Sequence, residues 1–203
     1  AEPLLREIVA SRRRIFGDAH PGLGVALSNL GNAVSDYRDR LPEAEQIYRE
    51  SIAVLRAAYG GPHPEIATAL NNLGFVYNRM QRWDMARDAY HESATIRRAT
   101  LGESHPDTAA ALLGEALAVN KLGQFTQAER LLRQAIKTFD QTLGQDHWRT
   151  ANAQRYLGTV LTNLGRYAEA ETILRDAERK LVAALGPAHE RTASARTALS
   201  ELE

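Results

Sequence analysis

The sequence predicts an all-α protein built as a stack of antiparallel helix pairs. Three features carry that prediction: a histidine marker that returns at a fixed period, apolar residues at helical spacing between markers, and Gly or Pro where helices must stop and start. The marker reads GDAHP from Gly17, GGPHP from Gly60, GESHP from Gly102, GQDHW from Gly144 and GPAHE from Gly186. Its histidines, His20, His63, His105, His147 and His189, are spaced 43, 42, 42 and 42 residues apart. Self-similarity at such a period is the signature of a repeat architecture.

The first element spans residues 1–17, AEPLLREIVASRRRIFG, which align with AERLLRQAIKTFDQTLG from Ala128 to Gly144. The chain is thus expected to open on the second helix of a pair. Its Leu4, Leu5, Ile8 and Phe16 give it an apolar side, and we expect the sequence to be cut from a longer protein. Four whole repeats follow, 18–60, 61–102, 103–144 and 145–186, and a half repeat or capping helix, 187–203, closes a single domain of about ten helices.

Within one repeat, Ile66, Leu70, Leu73 and Tyr77 recur at helical spacing, and Trp83, Ala86, Tyr90, Ala94 and Ile96 or Arg97 form a second apolar face. The polar turn between them reads MQRW here, and LGQF and LGRY in the next two repeats. Gly ends a helix there, because only Gly enters the left-handed conformation without a Cβ penalty. The marker punctuates the other junction. Gly102 ends one helix, His105 falls at or near the N-cap of the next, and Pro106 takes the first helical position, where its missing N–H costs nothing. Asp107, like Glu65, complements the positive end of its helix. Trp148 and Glu190 stand where the last two copies lack Pro. The extra residue of the 43-residue spacing falls in the first repeat's turn, near RDRLPEAE.

These residues resemble the tetratricopeptide repeat, in the long variety found in kinesin light chains. The family's series reads Leu70, Leu73, Gly74, Tyr77, Ala86, Tyr90 and Ser93 in one copy, and Leu27, Leu30, Gly31, Val34, Ala44, Tyr48 and Ser51 in the copy before. The second-helix signature appears as AEQIYRES, AERLLRQA and AETILRDA. Glu115 and Gln154 depart from the pattern, each standing where a large apolar residue is expected. The resemblance covers the whole chain and implies a right-handed α-solenoid, a tetratricopeptide superhelix. Small residues at Gly31, Gly74, Ala116 and Gly158 then mark helix crossings, as do Ala44, Ala86, Ala128 and Ala170 on the second helices. A Leu at any of them overpacks the crossing by about 1–3 kcal/mol.

Composition narrows the function. The 203 residues carry 25 basic and 25 acidic side chains and a net charge of zero, which removes the electrostatic footprint of a nucleic-acid or anionic-membrane binder. With no cysteine there is no thiolate chemistry, and no apolar run reaches the roughly 20 residues of a membrane helix. GLGVAL at Gly22 lacks the third Gly of a dinucleotide loop, and HERTA at His189 lacks the second His of a zinc-protease motif. The marker histidines sit about one repeat, or 10 Å, apart, too far to share a metal. His91 lies outside the register, in a charged helical stretch. No enzyme, cofactor or metal is expected, and the absence of leader and membrane segments is read as cytoplasmic.

The candidate site is the surface lined by the first helices. Asn32, Asn71, Phe75, Asn78, Arg79, Leu117, Asn120, Lys121, Asn152, Arg155 and Asn163 occupy positions there that packing does not need. An Asn amide offers a donor and an acceptor, so a row of them can hold an extended peptide backbone. Phe75, Leu113 and Leu117 supply an apolar floor, and Arg79, Lys121 and Arg155 supply positive charge. The expected partner is a protein or peptide, acidic with an apolar anchor, and the resemblance to cargo-binding kinesin light chain repeats points the same way. The alternative is a regulatory or oligomerising segment of a larger bacterial protein, such as a kinase, a nucleotide-switch ATPase or a caspase-like peptidase. Homo-oligomers would then form through the exposed terminal helices.

Overall fold

The computed structural model describes residues 2–202. Among them are ten α-helices and a short 3-10 turn, and no strand. Contacts divide the chain into two compact units, one up to Glu103 and one from Ser104. The first holds α1 (Glu2–Phe16), α2 (Pro21–Ser35), α3 (Leu41–Tyr59), α4 (Pro64–Arg79) and α5 (Trp83–Leu101). The second holds α6 (Pro106–Lys121), α7 (Phe125–Leu143), α8 (Trp148–Asn163), α9 (Tyr167–Leu185) and α10 (Glu190–Ser200).

Each even-numbered helix starts on a marker histidine. Nδ1 of His20, His63, His105, His147 and His189 accepts a hydrogen bond from the backbone N–H two residues on, at 3.0, 3.3, 3.1, 3.1 and 3.1 Å. Imidazole thus does the work usually done by Ser, Asp or Asn at an N-cap, satisfying one of the orphan donors of the first turn. Phe16 stacks on His20 with centroids 4.5 Å apart, and Tyr59 on His63 at 3.5 Å. The two helices without Pro start at Trp148 and Glu190 on the same cap, so the proline ring is dispensable.

The turns inside the pairs are equally local. Gly123 and Gly165 adopt φ of +77° and +74°, and Gln81 takes the same place at +59°, the one non-glycine residue with positive φ among the described residues. The longer first turn winds its extra residue into the 3-10 turn Arg38–Arg40 before α3 begins.

In the first unit α2 packs on α3, α3 on α4 and α4 on α5, and α1 covers α2. The crossings are close. A Cβ added at Gly31 would lie 2.8 Å from the Tyr48 ring, and one at Gly74 3.0 Å from the Tyr90 ring. Ser51 and Ser93 return their hydroxyls to the carbonyls of Gly24 and Ala67, each at 2.7 Å. In the second unit α6 packs on α7, α7 on α8, α8 on α9 and α10 on α9. Here Leu132 and Leu174 occupy the tyrosine positions and are fully buried. Thr150 and Thr192 donate to the carbonyls of Gly144 and Gly186 at 2.9 Å, which ties each helix start to the loop before it. Trp148 packs against Ala151, Leu181 and Ala195, with the Arg149 and Arg191 guanidiniums 5.5 and 4.7 Å from its ring centre.

Gln154 illustrates a compensated departure. Its partner across the pair is Lys180, where the first unit has Val54 and Ile96. The buried Lys180 ammonium lies 2.6 Å from Asp176 and 3.4 Å from the Gln154 carbonyl oxygen. A polar core group of this kind persists only when paired.

Candidate functional site

On the first-helix face of the first unit, α2 and α4 lie side by side with a cavity of about 120 Å³ between them, lined by Val25, Ser28, Asn32, Thr68 and Asn72 among others. The amides here are largely engaged with one another. The Asn32 carbonyl oxygen accepts from the Tyr48 hydroxyl at 2.5 Å and from the Asn72 amide at 3.0 Å. Burial pushes the Tyr48 phenol up to about 12, so it stays a donor throughout the physiological range. The Asn78 amide donates weakly to Tyr90 at 3.5 Å, and its own carbonyl oxygen is buried without a partner.

Arg79 is drawn inward. Its guanidinium donates to the Ser35 carbonyl at the C-terminus of α2, a favourable place for a cation, and stands 5.8 Å from the centre of the Phe75 ring. Two predicted residues of this face remain open. Asn71 makes no side-chain hydrogen bond among the described residues, and Phe75 is 51% exposed.

In the second unit the corresponding positions lie on α6 and α8. The Asn163 amide donates to the Asn120 carbonyl oxygen at 3.1 Å. Asn152 is buried and accepts from Arg155 at 3.1 Å. Lys121 is exposed with no ion pair among the described residues, and Leu117 is half-buried beside it in the sequence register.

The site predicted from sequence therefore separates into two groups. Asn32, Asn78, Arg79, Asn120, Asn152, Arg155 and Asn163 have partners inside their own unit, while Asn71, Phe75, Leu117 and Lys121 present groups outward. Sequence reasoning passed over Asn72, which binds Asn32; its neighbour Asn71 was chosen from the same Asn-Asn pair. It also passed over a larger cavity, about 440 Å³, on the opposite side of the first unit between α3 and α5. Among the described residues no group of three or more His, Asp or Glu side chains is placed to hold a metal, and no helix is long and apolar enough to cross a membrane.

Antiparallel pairs with small residues at their crossings, joined by capped turns, define a helical-repeat protein. Sequence models of the tetratricopeptide repeat match residues 65–141 and residues 1–22, 23–65 and 150–191. The chain belongs to the tetratricopeptide repeat family. Solved structures agree on the fold. BtubC (BKLC) from P. vanneervenii superposes with a TM-score of 0.78 over 98% of this chain and 80% of its own, at 20% identity. A putative kinesin light chain of Podospora anserina with nearly identical repeats gives 0.76 over 89% and 85%, at 22% identity. YrrB, a tetratricopeptide protein with an unusual peptide-binding site, gives 0.57 over 96% and 92%, at 15% identity. No curated protein matches the chain by sequence.

Proposed function

We propose that this chain is a protein-interaction scaffold that holds a peptide or partner segment on its first-helix faces. The observation that carries the reading is the pairing, one turn apart on α4, of an exposed aromatic ring at Phe75 with an unengaged amide at Asn71. A large exposed apolar side chain next to free polar groups is the composition of a binding patch rather than of a solvated surface. The peptide-binding neighbour YrrB supports the same class of function. The partner is acidic with an apolar anchor: on the first unit the anchor meets Phe75, and the second unit taken by itself offers an unpaired cation at Lys121. Asn120 and Asn163 act indirectly, by fixing α6 against α8.

The test is a fluorescence-polarisation screen of an acidic peptide library against the wild type, Phe75→Ala and Asn120→Ala. Phe75→Ala should weaken selected peptides at least tenfold, and Asn120→Ala should change affinity less. Equal affinity in all three proteins would remove the first-helix assignment.

A second reading, a regulatory or oligomerising segment of a larger bacterial, cytoplasmic protein, draws support from α1. Leu4, Ile15 and Phe16 are each more than half exposed on that helix. Light scattering of the wild type and of Leu4→Glu/Ile15→Glu checks it: the reading requires a wild-type oligomer that the variant loses.

A further inference from the structure

Two of the seams between second helices follow one pattern, and a third departs from it. Between α1 and α3, Glu2, Arg6, Arg40 and Glu43 form a closed square of alternating charge, with contacts of 2.5–2.9 Å. Between α7 and α9, Glu129, Arg133, Arg166 and Glu169 occupy the same register positions and close the same square. Between α3 and α5 the first three members are present as Glu45, Arg49 and Arg82, with contacts of 3.1 and 2.7 Å. The fourth is Met85, which has no charge.

The apolar position one turn further along departs in the same seam. It is Ile47 in α3, Leu131 in α7 and Ile173 in α9, but Ala89 in α5. The missing carboxylate and the missing branched side chain fall side by side. Where they are missing lies the 440 Å³ cavity, floored by Leu70, Leu73 and Tyr77 of α4 and walled by Ile52 and Ala89. Two guanidiniums now share one carboxylate, and Arg49 turns instead to the Tyr77 hydroxyl at 3.1 Å. The incomplete square thus keeps one more positive than negative charge beside the cavity, whose other carboxylates, Asp88 and Glu92, are paired with Arg87 and Arg56.

We infer that this seam is a docking site for an amphipathic helix of a partner protein, which presents a carboxylate and a bulky apolar side chain one helical turn apart. The carboxylate completes the square with Arg49 and Arg82 in place of the absent glutamate. The apolar side chain fills the space that Ile or Leu fills elsewhere. A helix suits the seam because the vacant carboxylate position and the vacant apolar position, at Met85 and Ala89, lie one helical turn apart. Beyond the Arg56–Glu92 ion pair the seam continues into a second cavity of about 360 Å³ next to Ile66 and Ile96. Ala89 and Ile96 are seven residues apart on α5, so a second anchor two turns along the docking helix would reach it. Both Arg56 and Glu92 are substantially exposed, so their pair opens at little cost.

The chain has two methionines, and only Met85 lines the larger cavity, so its methyl group is a reporter with Met80 as internal control. The probe is a capped, alanine-based helical peptide with Glu and Leu at i and i+4, titrated into the full chain labelled with ¹³C at its methionine methyls. The expected result is a saturable shift of the Met85 methyl with Met80 unmoved, and an affinity at least tenfold weaker for the Glu→Gln and the Leu→Ala peptides. Met85→Glu/Ala89→Ile restores the pattern of the seams between α1 and α3 and between α7 and α9. It should melt no lower than the wild type, and a fluorescein-labelled copy of the peptide should bind it at least tenfold more weakly in polarisation. An unmoved Met85 signal at millimolar peptide, or equal affinity for the restored variant, overturns the inference. Sedimentation that finds a wild-type dimer and a monomeric restored variant also overturns it, by assigning the seam to a second copy of the chain.

Discussion

The crossings of the first unit are filled by tyrosine and those of the second by leucine. Tyr48 and Tyr90 lie under Gly31 and Gly74, whereas Leu132 and Leu174 lie under Ala116 and Gly158. A tyrosine adds a hydroxyl at the far end of an apolar body, and that hydroxyl must find a partner when buried. In the first unit the partners are Asn32 and Asn78, so the crossing sets the chemistry of the first-helix face. In the second unit the crossing is dry, and the polar residues moved elsewhere, to Gln154, Asp176 and Lys180. Two units built from the same kind of helix pair thus place their polar groups at different depths.

Tyr48→Ala should produce the largest effect, a loss of about 3–5 kcal/mol in urea unfolding, because it empties the crossing under Gly31. Tyr48→Leu, which imports the second unit's solution, should cost markedly less; an equal cost would show that the hydroxyl network, and not ring volume, holds the crossing. Next come Gln154→Leu and Lys180→Val, which import the first unit's solution into the second. Gln154→Leu alone removes one of the two partners of the buried Lys180, and Lys180→Val alone takes the cation from the Gln154 carbonyl oxygen, while the pair should recover most of the loss, with a coupling of about 0.5–3 kcal/mol in a double-mutant cycle. Strict additivity would break the claim that the two departures compensate.

His63→Ala should cost about 1 kcal/mol as a lost N-cap. His63→Asn restores the cap but not the stack on Tyr59, so His189→Asn in the second unit, where Leu185 replaces the aromatic ring, should be the milder of the two in thermal melts.

The smallest effect belongs to the charge squares. Hydrogen bonds from Arg40 and then Arg6 hold the Glu2 carboxyl down at about 2, and those from Arg133 and then Arg166 lower Glu169. A carboxyl whose folded-state pKa is depressed adds stability above the ordinary carboxylate range and loses it as pH falls toward the folded-state value. Melting midpoints recorded from pH 7 to pH 2 should therefore decline less steeply for Glu2→Gln than for the wild type.

The repeat was legible because its punctuation is local. A histidine two residues before the amide it caps, a glycine in a three-residue turn and a small residue at a crossing each act within a few residues or one pair. The tetratricopeptide family, the ten helices and the capping role of the histidines followed from them. The state of the candidate site was less legible. Whether Asn120 is open depends on Asn163, and whether Asn32 is open depends on Asn72; these partners are 43 and 40 residues apart. That approach is decided by how one pair settles on the next, which no local pattern encodes. The open seam was visible in principle, since Met85 and Ala89 break the register of the second helices, but only a copy-by-copy comparison of those helices would have shown it.

The five imidazole caps carry one more implication. A ring that receives a backbone N–H at Nδ1 must, when neutral, keep its single proton on Nε2, so all five share one tautomer. His91 lies outside the register and caps no helix start. Long-range ¹⁵N–¹H spectra of the imidazoles should resolve five rings of a single protonation pattern, a direct count of how many helix starts are intact in solution.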